Sequence, residues 1–332
     1  MLLKPVAMHI PDGFLSVPVA IFLWVVSIIF IAIALRRVNQ TLGERQVPLM
    51  GVLAACIFAG QMLNFAVAGG TSGHLLGAAL AVILLGPWAS ILVMTCVVGV
   101  QALLFQDGGL LALGGNIFNM AIVGTFVAYA TYSLINKMAG GKKWGVFAGG
   151  AAAAWLSIFL TALAAAIELA ASGTSPANVG VPAMGAVHAL IGIGEALITV
   201  GALSVIYAAR RDLLAPGESS STTSSRIVLV GGLLMALALA VASPLASANP
   251  DGLEWVAEQQ GFLDKAQPAP FQVISGYNFP GVGNVEVSTI LAGIVGVLVV
   301  LFLVMAIAYS RRRKITNYEL RITDKEATTR NS

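Results

Sequence analysis

The chain has 332 residues, 58% of them hydrophobic and 10% charged, and its mean hydropathy is +0.89. So much apolar surface must be buried in lipid, which excludes an ordinary soluble enzyme. The 18 Lys and Arg against 15 Asp and Glu give a net charge of +3. These basic residues fall in short loops between apolar runs and report membrane topology, not nucleic-acid binding.

The first seven residues, MLLKPVA, are too short to hold a signal peptide's apolar core and cleavage site. They are expected to be a dispensable extension or the product of a misjudged start. Met8-His9-Ile10-Pro11-Asp12-Gly13 follows, directly ahead of the first apolar run. With a start at Met8, a free amine, the His9 amide nitrogen and the His9 imidazole lie on one short stretch. Amine and amide close a five-membered ring on a metal, and the amide with Nδ1 of the same histidine closes a six-membered one. Three nitrogens in a plane favour Ni(II) or Cu(II). By spacing alone, the same His9 also suits an interfacial hydrogen-bonding role. A fourth ligand can come only from His74 or His188 among histidines, and His74, in the glycine-rich turn GGTSGHLLG, is the better placed.

Apolar runs of about 20 residues predict helices at 17–37, 48–68, 87–105, 116–136, 144–171, 183–209, 227–246 and 289–309, with a shorter run at 74–86. The short run, bounded by GGTSG and Pro87, is free to tilt, re-enter or merge with its neighbour. Counted as a crossing, it gives nine helices and places Arg36, Arg37, Arg45, Lys137, Lys142, Lys143, Arg210, Arg211, Arg311, Arg312, Arg313 and Lys314 on one side. By the positive-inside rule that side and the C-terminus are cytoplasmic. The N-terminus, the His74 turn and the loops at 106–115 and 247–288 then face outward.

The expected fold is an all-α polytopic protein of the cell membrane. A seven-helix substrate-binding bundle (8–211) follows the 1–7 extension; a Ser/Thr-rich cytoplasmic linker (212–226) then leads to a two-helix accessory unit (227–314) with an extracytoplasmic loop, and to a tail at 315–332.

Polar side chains within apolar runs are costly unless they face the bundle interior or a partner. Those here are Gln61, Asn64, Asn116, Asn119, His188 and Glu195. His188 and Glu195 share a helix face, but their spacing is about 10 Å of rise, too far for a direct bond, so supporting or packing roles are expected. Glu168 is expected to reach the interface. Cys56 and Cys96 read as small buried thiols. In the outer loop, Asn249 and Pro250 predict the cap and first residue of a short helix ending at Gly261, with Asp251, Glu254 and Glu258 on one face. That acidic face is either simply solvated or attracts cations.

Six collinear blocks, MHIPDGFLS, QMLNF (61–65), GGTSGHLLGAAL (69–80), QALLFQDGGL (101–110), LGGNIFNMA (113–121) and HALIGIGEALIT (188–199), resemble the CbiM/NikM family. Its members are substrate-capture components of energy-coupling-factor transporters for cobalt or nickel. PDGLEWVAE (250–258) resembles the CbiN/NikN accessory unit, so the whole looks like an M–N fusion. The resemblance implies that the metal ligands are the Met8 amine, the His9 amide and imidazole, and the His74 imidazole. It also implies that the N-terminal segment tucks into the bundle, and Gln61 and Asn64 are then expected to brace that segment. MLLKPVA departs from the family pattern, because it would turn the Met8 amine into an ordinary peptide nitrogen. The functional start is therefore expected at Met8.

No GxxxxGK[ST] sequence is present, so the chain is not the ATPase. The resemblance implies a CbiQ/NikQ-like coupling protein in the bilayer and CbiO/NikO-like ATPase subunits as partners, with no resident cofactor and no enzymatic reaction. An uncoupled divalent-metal channel or secondary carrier is the alternative class. A membrane hydrolase lacks the nucleophile–base or paired-acid constellation it would need. Ni²⁺ and Co²⁺ share the preference for nitrogen, so the cargo stays open between them.

Overall fold

The computed structural model describes residues 9–41, 46–214 and 223–330, with side chains for all of these except 40, 41, 223–227 and 312–330. Met8, Arg45 and linker residues 215–222 lie outside the described residues, as do the side chains of Arg312, Arg313 and Lys314. Among the described residues seven helices are long and apolar enough to cross a membrane: Val17–Asn39, Pro87–Phe105, Leu113–Met138, Lys143–Ala171, Ala177–Ala209, Val228–Leu245 and Val285–Arg311. The protein is all-α and polytopic.

Helix α1 (Val17–Thr41) is followed by α2 (Gln46–Gln61), which stops well short of the expected residue 68. The chain instead turns through the antiparallel hairpin β1 (Phe65–Val67) and β2 (Thr71–Gly73). Gly69 and Gly70 make the turn possible, at φ 92° and 79°, where a side chain would be strained. The expected helix at 74–86 is also shorter: α3 covers Ala78–Leu85. Eight residues rise about 12 Å, less than half the hydrocarbon thickness of a bilayer. Gly86, at φ 78°, breaks the helix, and Pro87, lacking an N–H, starts α4 (Pro87–Val100).

A π-turn, Gln101–Phe105, ends that span. Next, α5 (Leu113–Asn116) runs through a π-helical stretch, Ile117–Val123, into α6 (Gly124–Met138). The long helices α7 (Lys143–Ala171) and α8 (Ala177–Ala209) complete the first unit. The accessory unit contributes α9 (Thr223–Ala242), the short α10 (Gly252–Gln259) and α11 (Val285–Arg330).

Small residues set the helix spacing, as expected where close packing holds helices together in lipid. The Trp155 ring of α7 lies against Gly192 of α8 and donates its indole N–H to the Ala189 carbonyl at 3.0 Å. Both α9 and α11 pack on α2. Val52 fills the space left by Gly232, and Phe58 the space left by Gly296. The accessory helices therefore share one core with the binding unit.

At α10 the structure corrects the expected cap. Asp251, not Asn249, is the N-cap, and its carboxylate accepts the Leu253 N–H at 3.4 Å. Asn249 and Pro250 serve the hairpin instead: Ser72 donates its N–H to the Pro250 carbonyl (2.8 Å) and its hydroxyl to the Asn249 carbonyl (2.9 Å). The three acids lie close enough for the charges of Asp251 and Glu258 both to act on Glu254, but they differ in burial. Asp251 is buried, Glu254 half-buried and Glu258 exposed.

Candidate metal centre

The segment after Met8 enters the bundle as extended chain. Such backbone carries polar groups that a helix would satisfy internally, so each needs a partner when buried. Asn116, on α5, reads both sides of Ile10: its Oδ1 accepts the Ile10 N–H at 3.0 Å and its Nδ2 donates to the Ile10 carbonyl at 3.0 Å. Asp12 caps the loop before α5, accepting the Leu110 N–H at 3.0 Å and the Ala112 N–H at 2.9 Å. Gly109 donates its N–H to the Ile10 carbonyl at 2.9 Å, and Gln267 of the accessory loop donates to the Asp12 carbonyl at 2.8 Å.

The DGG turn fits closely under this segment, because a β-carbon on Gly109 would collide with the backbone nitrogen and carboxylate of Asp12. Gly109→Ala is therefore expected to expel the segment and abolish metal retention, while thermal unfolding of the bundle changes little. Wild-type metal content in the purified variant would refute this seating.

On the opposite side, residues 74–77 form a stretch without regular structure, ending in Gly77 at φ 80°. Gln61 donates its amide N–H to the Leu76 carbonyl at 2.9 Å, and Glu195 accepts the Leu76 and Gly77 N–H groups at 2.7 and 2.9 Å. Gln61 thus braces the His74 loop and not the N-terminal segment. Asn64 also serves elsewhere: its side chain reaches the Ser72 hydroxyl at 3.5 Å, and its carbonyl accepts the Ser247 N–H at 2.8 Å. Both expectations for bracing the N-terminal segment are corrected, and Asn116 is the residue that holds it. The reason is local, since Gln61 and Asn64 directly precede the hairpin that ends at Gly73.

These elements bring all three histidines of the chain to one cavity of about 70 Å³, lined by His9, His74, His188, Asn116, Asn119 and Asp251 among mostly apolar neighbours. The His9 and His74 rings meet edge to face with centroids 5.4 Å apart. Nδ1 of His74 lies 3.0 Å from the Leu75 carbonyl, and Nδ1 of His188 lies 2.9 Å from the Met184 carbonyl. A carbonyl can only accept, so each Nδ1 carries the proton and each Nε2 keeps its lone pair. Among the described residues no three His, Cys, Asp or Glu side chains stand together at metal-binding distance. Met8 lies outside the described residues.

His9 is 4% exposed, and its Nδ1 lies 3.2 Å from Oδ1 of Asp107. Asp107, immediately before the DGG glycines, is held in turn by the Tyr277 hydroxyl at 2.7 Å. Burial alone pulls the His9 imidazole down. The charge and hydrogen bond of Asp107, with the more distant charge of Asp251, outweigh it and raise the net value above the usual 6.5. Burial pushes Asp107 up, but His9 and the Tyr277 hydroxyl bring its net value below the usual 3.8. Tyr277, buried beside that carboxylate, is raised well above 10. Asp107 and Tyr277 were not singled out by the sequence, because residues so far apart leave no local pattern. Glu168 is likewise buried, not interfacial, and accepts the Asn119 amide N–H at 2.8 Å.

The family described as CbiM, cobalt uptake substrate-specific transmembrane region, matches residues 9–213, and the PDGLE domain matches residues 226–313. A putative fused nickel transport protein NikMN of Archaeoglobus fulgidus is 38% identical over 92% of this chain and 99% of its own length. The fused nickel transport protein NikMN of Rhodobacter capsulatus is 32% identical, covering 83% of each chain. A crystal structure of a truncated transition metal transporter superposes with a TM-score of 0.53 at 37% identity, over 61% of this chain and 99% of that one. The chain belongs to the CbiM family and carries a PDGLE domain in the same polypeptide, which makes it a membrane component of cobalt or nickel transport and not an enzyme.

Proposed function

We propose that this chain is the substrate-specific component of an energy-coupling-factor importer of the cell membrane, with its N-terminus outside and its C-terminus in the cytoplasm. It captures Ni²⁺ or Co²⁺ from outside for ATP-driven uptake. A CbiQ/NikQ-like coupling protein and CbiO/NikO-like ATPases supply the energy. The observation that carries this reading is the convergence of His9, His74 and His188 on one cavity, reached by an N-terminal segment whose backbone is clamped by Asn116.

The ligands in this reading are the Met8 amine, the deprotonated His9 amide, Nδ1 of His9 and the His74 imidazole. Loading then requires Nδ1 to exchange the Asp107 carboxylate for the ion. The pairing of Nδ1 with Asp107 favours a second ligand geometry, in which Nε2 of His9 binds the ion and Asp107 orients the ring from behind.

The test is the intact mass and bound-metal content of the purified chain, wild type against His9→Ala and His74→Ala. A chain beginning at Met8 with close to one Ni or Co per molecule, lost in both variants, is expected. Metal retained in both variants, or absent from the wild type, overturns the reading. Flux into liposomes holding this chain alone would instead favour an uncoupled carrier.

A further inference from the structure

Asp251 is the acidic side chain on the wall of the histidine cavity, and it belongs to the PDGLE unit. Resting on the capture reading above, we propose that Asp251 is a transit ligand: its carboxylate takes the incoming Ni²⁺ or Co²⁺ and hands it to the nitrogen donors.

The position is built, not incidental. Asp251 is 3% exposed and pairs in a parallel bridge with Ser72, two residues before His74. Thr71 and Ser72 fix the preceding carbonyls of Asn249 and Pro250 through their hydroxyls, at 3.1 Å for Thr71 to Pro250 and 2.9 Å for Ser72 to Asn249. The same strand therefore sets the register of His74 and of Asp251. Gly252 approaches His188 so closely that a β-carbon there would stand 3.0 Å from its ring. Only Oδ2 of Asp251 is used in the α10 cap, through a long 3.4 Å bond, leaving Oδ1 outside it.

Charge and donor chemistry point the same way. The remaining polar groups on the cavity wall are imidazoles, the amides of Asn116 and Asn119, and the Thr161 hydroxyl. Until the His9 amide gives up its proton, none offsets a double positive charge, and Asp107 stands behind His9, engaged with that ring and with Tyr277. A buried dication without a nearby negative charge is strongly disfavoured. A carboxylate is a hard oxygen donor suited to a partly hydrated ion, whereas the final site prefers nitrogen. Asp251 displaces water from the ion and is itself displaced by nitrogen, with no change of oxidation state. Glu254 takes no part, since it lines the neighbouring cavity with Asp12 and Asp264.

A ligand used in transit lowers the barrier in both directions and leaves the end states alone. The experiment is stopped-flow binding and release of Ni²⁺ by the full chain, wild type against Asp251→Asn and Asp251→Ser. Both substitutions retain a good helix cap and remove the charge, and unchanged thermal unfolding would verify the fold. Association and dissociation are both expected to slow about tenfold, leaving the ratio, and so Kd, unaltered within about twofold. Wild-type rates in both variants overturn the transit role and leave the capture reading standing. Weaker Kd with unchanged association makes Asp251 a permanent counter-charge and also overturns it. Failure of the wild type itself to bind Ni²⁺ overturns the capture reading.

Discussion

Asn116→Leu is expected to weaken Ni²⁺ or Co²⁺ binding about a hundredfold while the helical bundle stays folded. The side chain is 3% exposed, and leucine nearly matches its shape. What leucine cannot do is accept the Ile10 N–H and donate to the Ile10 carbonyl, both at 3.0 Å in the structure. The carbonyl keeps a second donor, the Gly109 N–H at 2.9 Å, so the loss falls mainly on the orphaned Ile10 N–H. A buried polar group without its partner costs about 1–3 kcal/mol. The top of that range corresponds to about a hundredfold in affinity. The cost is borne where the segment seats, directly beside the His9 backbone, and so appears in metal affinity before it appears in global stability. Calorimetric titration with Ni²⁺, alongside thermal unfolding, checks it. Wild-type affinity would show that the segment seats without Asn116, and a large fall in unfolding temperature would make the residue a packing element of α5.

Much of this architecture was legible in the sequence because lipid imposes it. Continuous apolar runs located the long apolar spans to within about six residues, since a chain in hydrocarbon must satisfy its backbone internally and the helix does so, although α11 runs on to Arg330, well past the expected residue 309. The failures cluster between residues 62 and 77. There the apolar composition continued while the chain left the helix, because Gln61 and Glu195 take over the backbone groups that a helix would have bonded. Hydropathy does not register that substitution. The glycines at 69, 70, 73 and 77 were the available signal for irregular chain.

His9, His74 and His188 stood out as the few imidazoles in an apolar sequence, yet nothing local indicated that His188 would join the same cavity. The carboxylate against His9 was hidden for another reason. Asp107 is set by a turn that only Gly108, at φ 96°, and the close approach at Gly109 permit, and its partner Tyr277 lies in the other unit. The acids of the PDGLE motif looked alike in sequence and differ in burial, with the helix cap two residues later than expected, at Asp251 instead of Asn249.

Metal affinity is expected to fall on acidification, beginning above the ordinary histidine value of 6.5, and Asp107→Asn is expected to move that fall to lower pH. His9 binds metal only as the neutral ring, so protons compete with the ion. Asp107, negative and 3.2 Å away, favours the charged ring and raises its pKa above 6.5. In the metal-free protein the pair stabilises the fold in a defined window. The contribution of His9, whose pKa is raised, is lost as pH rises through that value. The contribution of Asp107, lowered below 3.8, is lost as pH falls through its own value. With asparagine at 107 the opposing charge is gone, burial dominates, and His9 stays neutral to lower pH. Titrating Ni²⁺ affinity from about pH 5 to 8 in both proteins reads this displacement directly. Identical pH profiles would sink it. The alkaline plateau then separates the two ligand geometries. Chelation through Nδ1 predicts a plateau preserved in Asp107→Asn, because the carboxylate leaves Nδ1 before the ion binds. Binding through Nε2 predicts a plateau lower by about 10–100-fold, the usual loss when the group orienting a metal-bound histidine is removed.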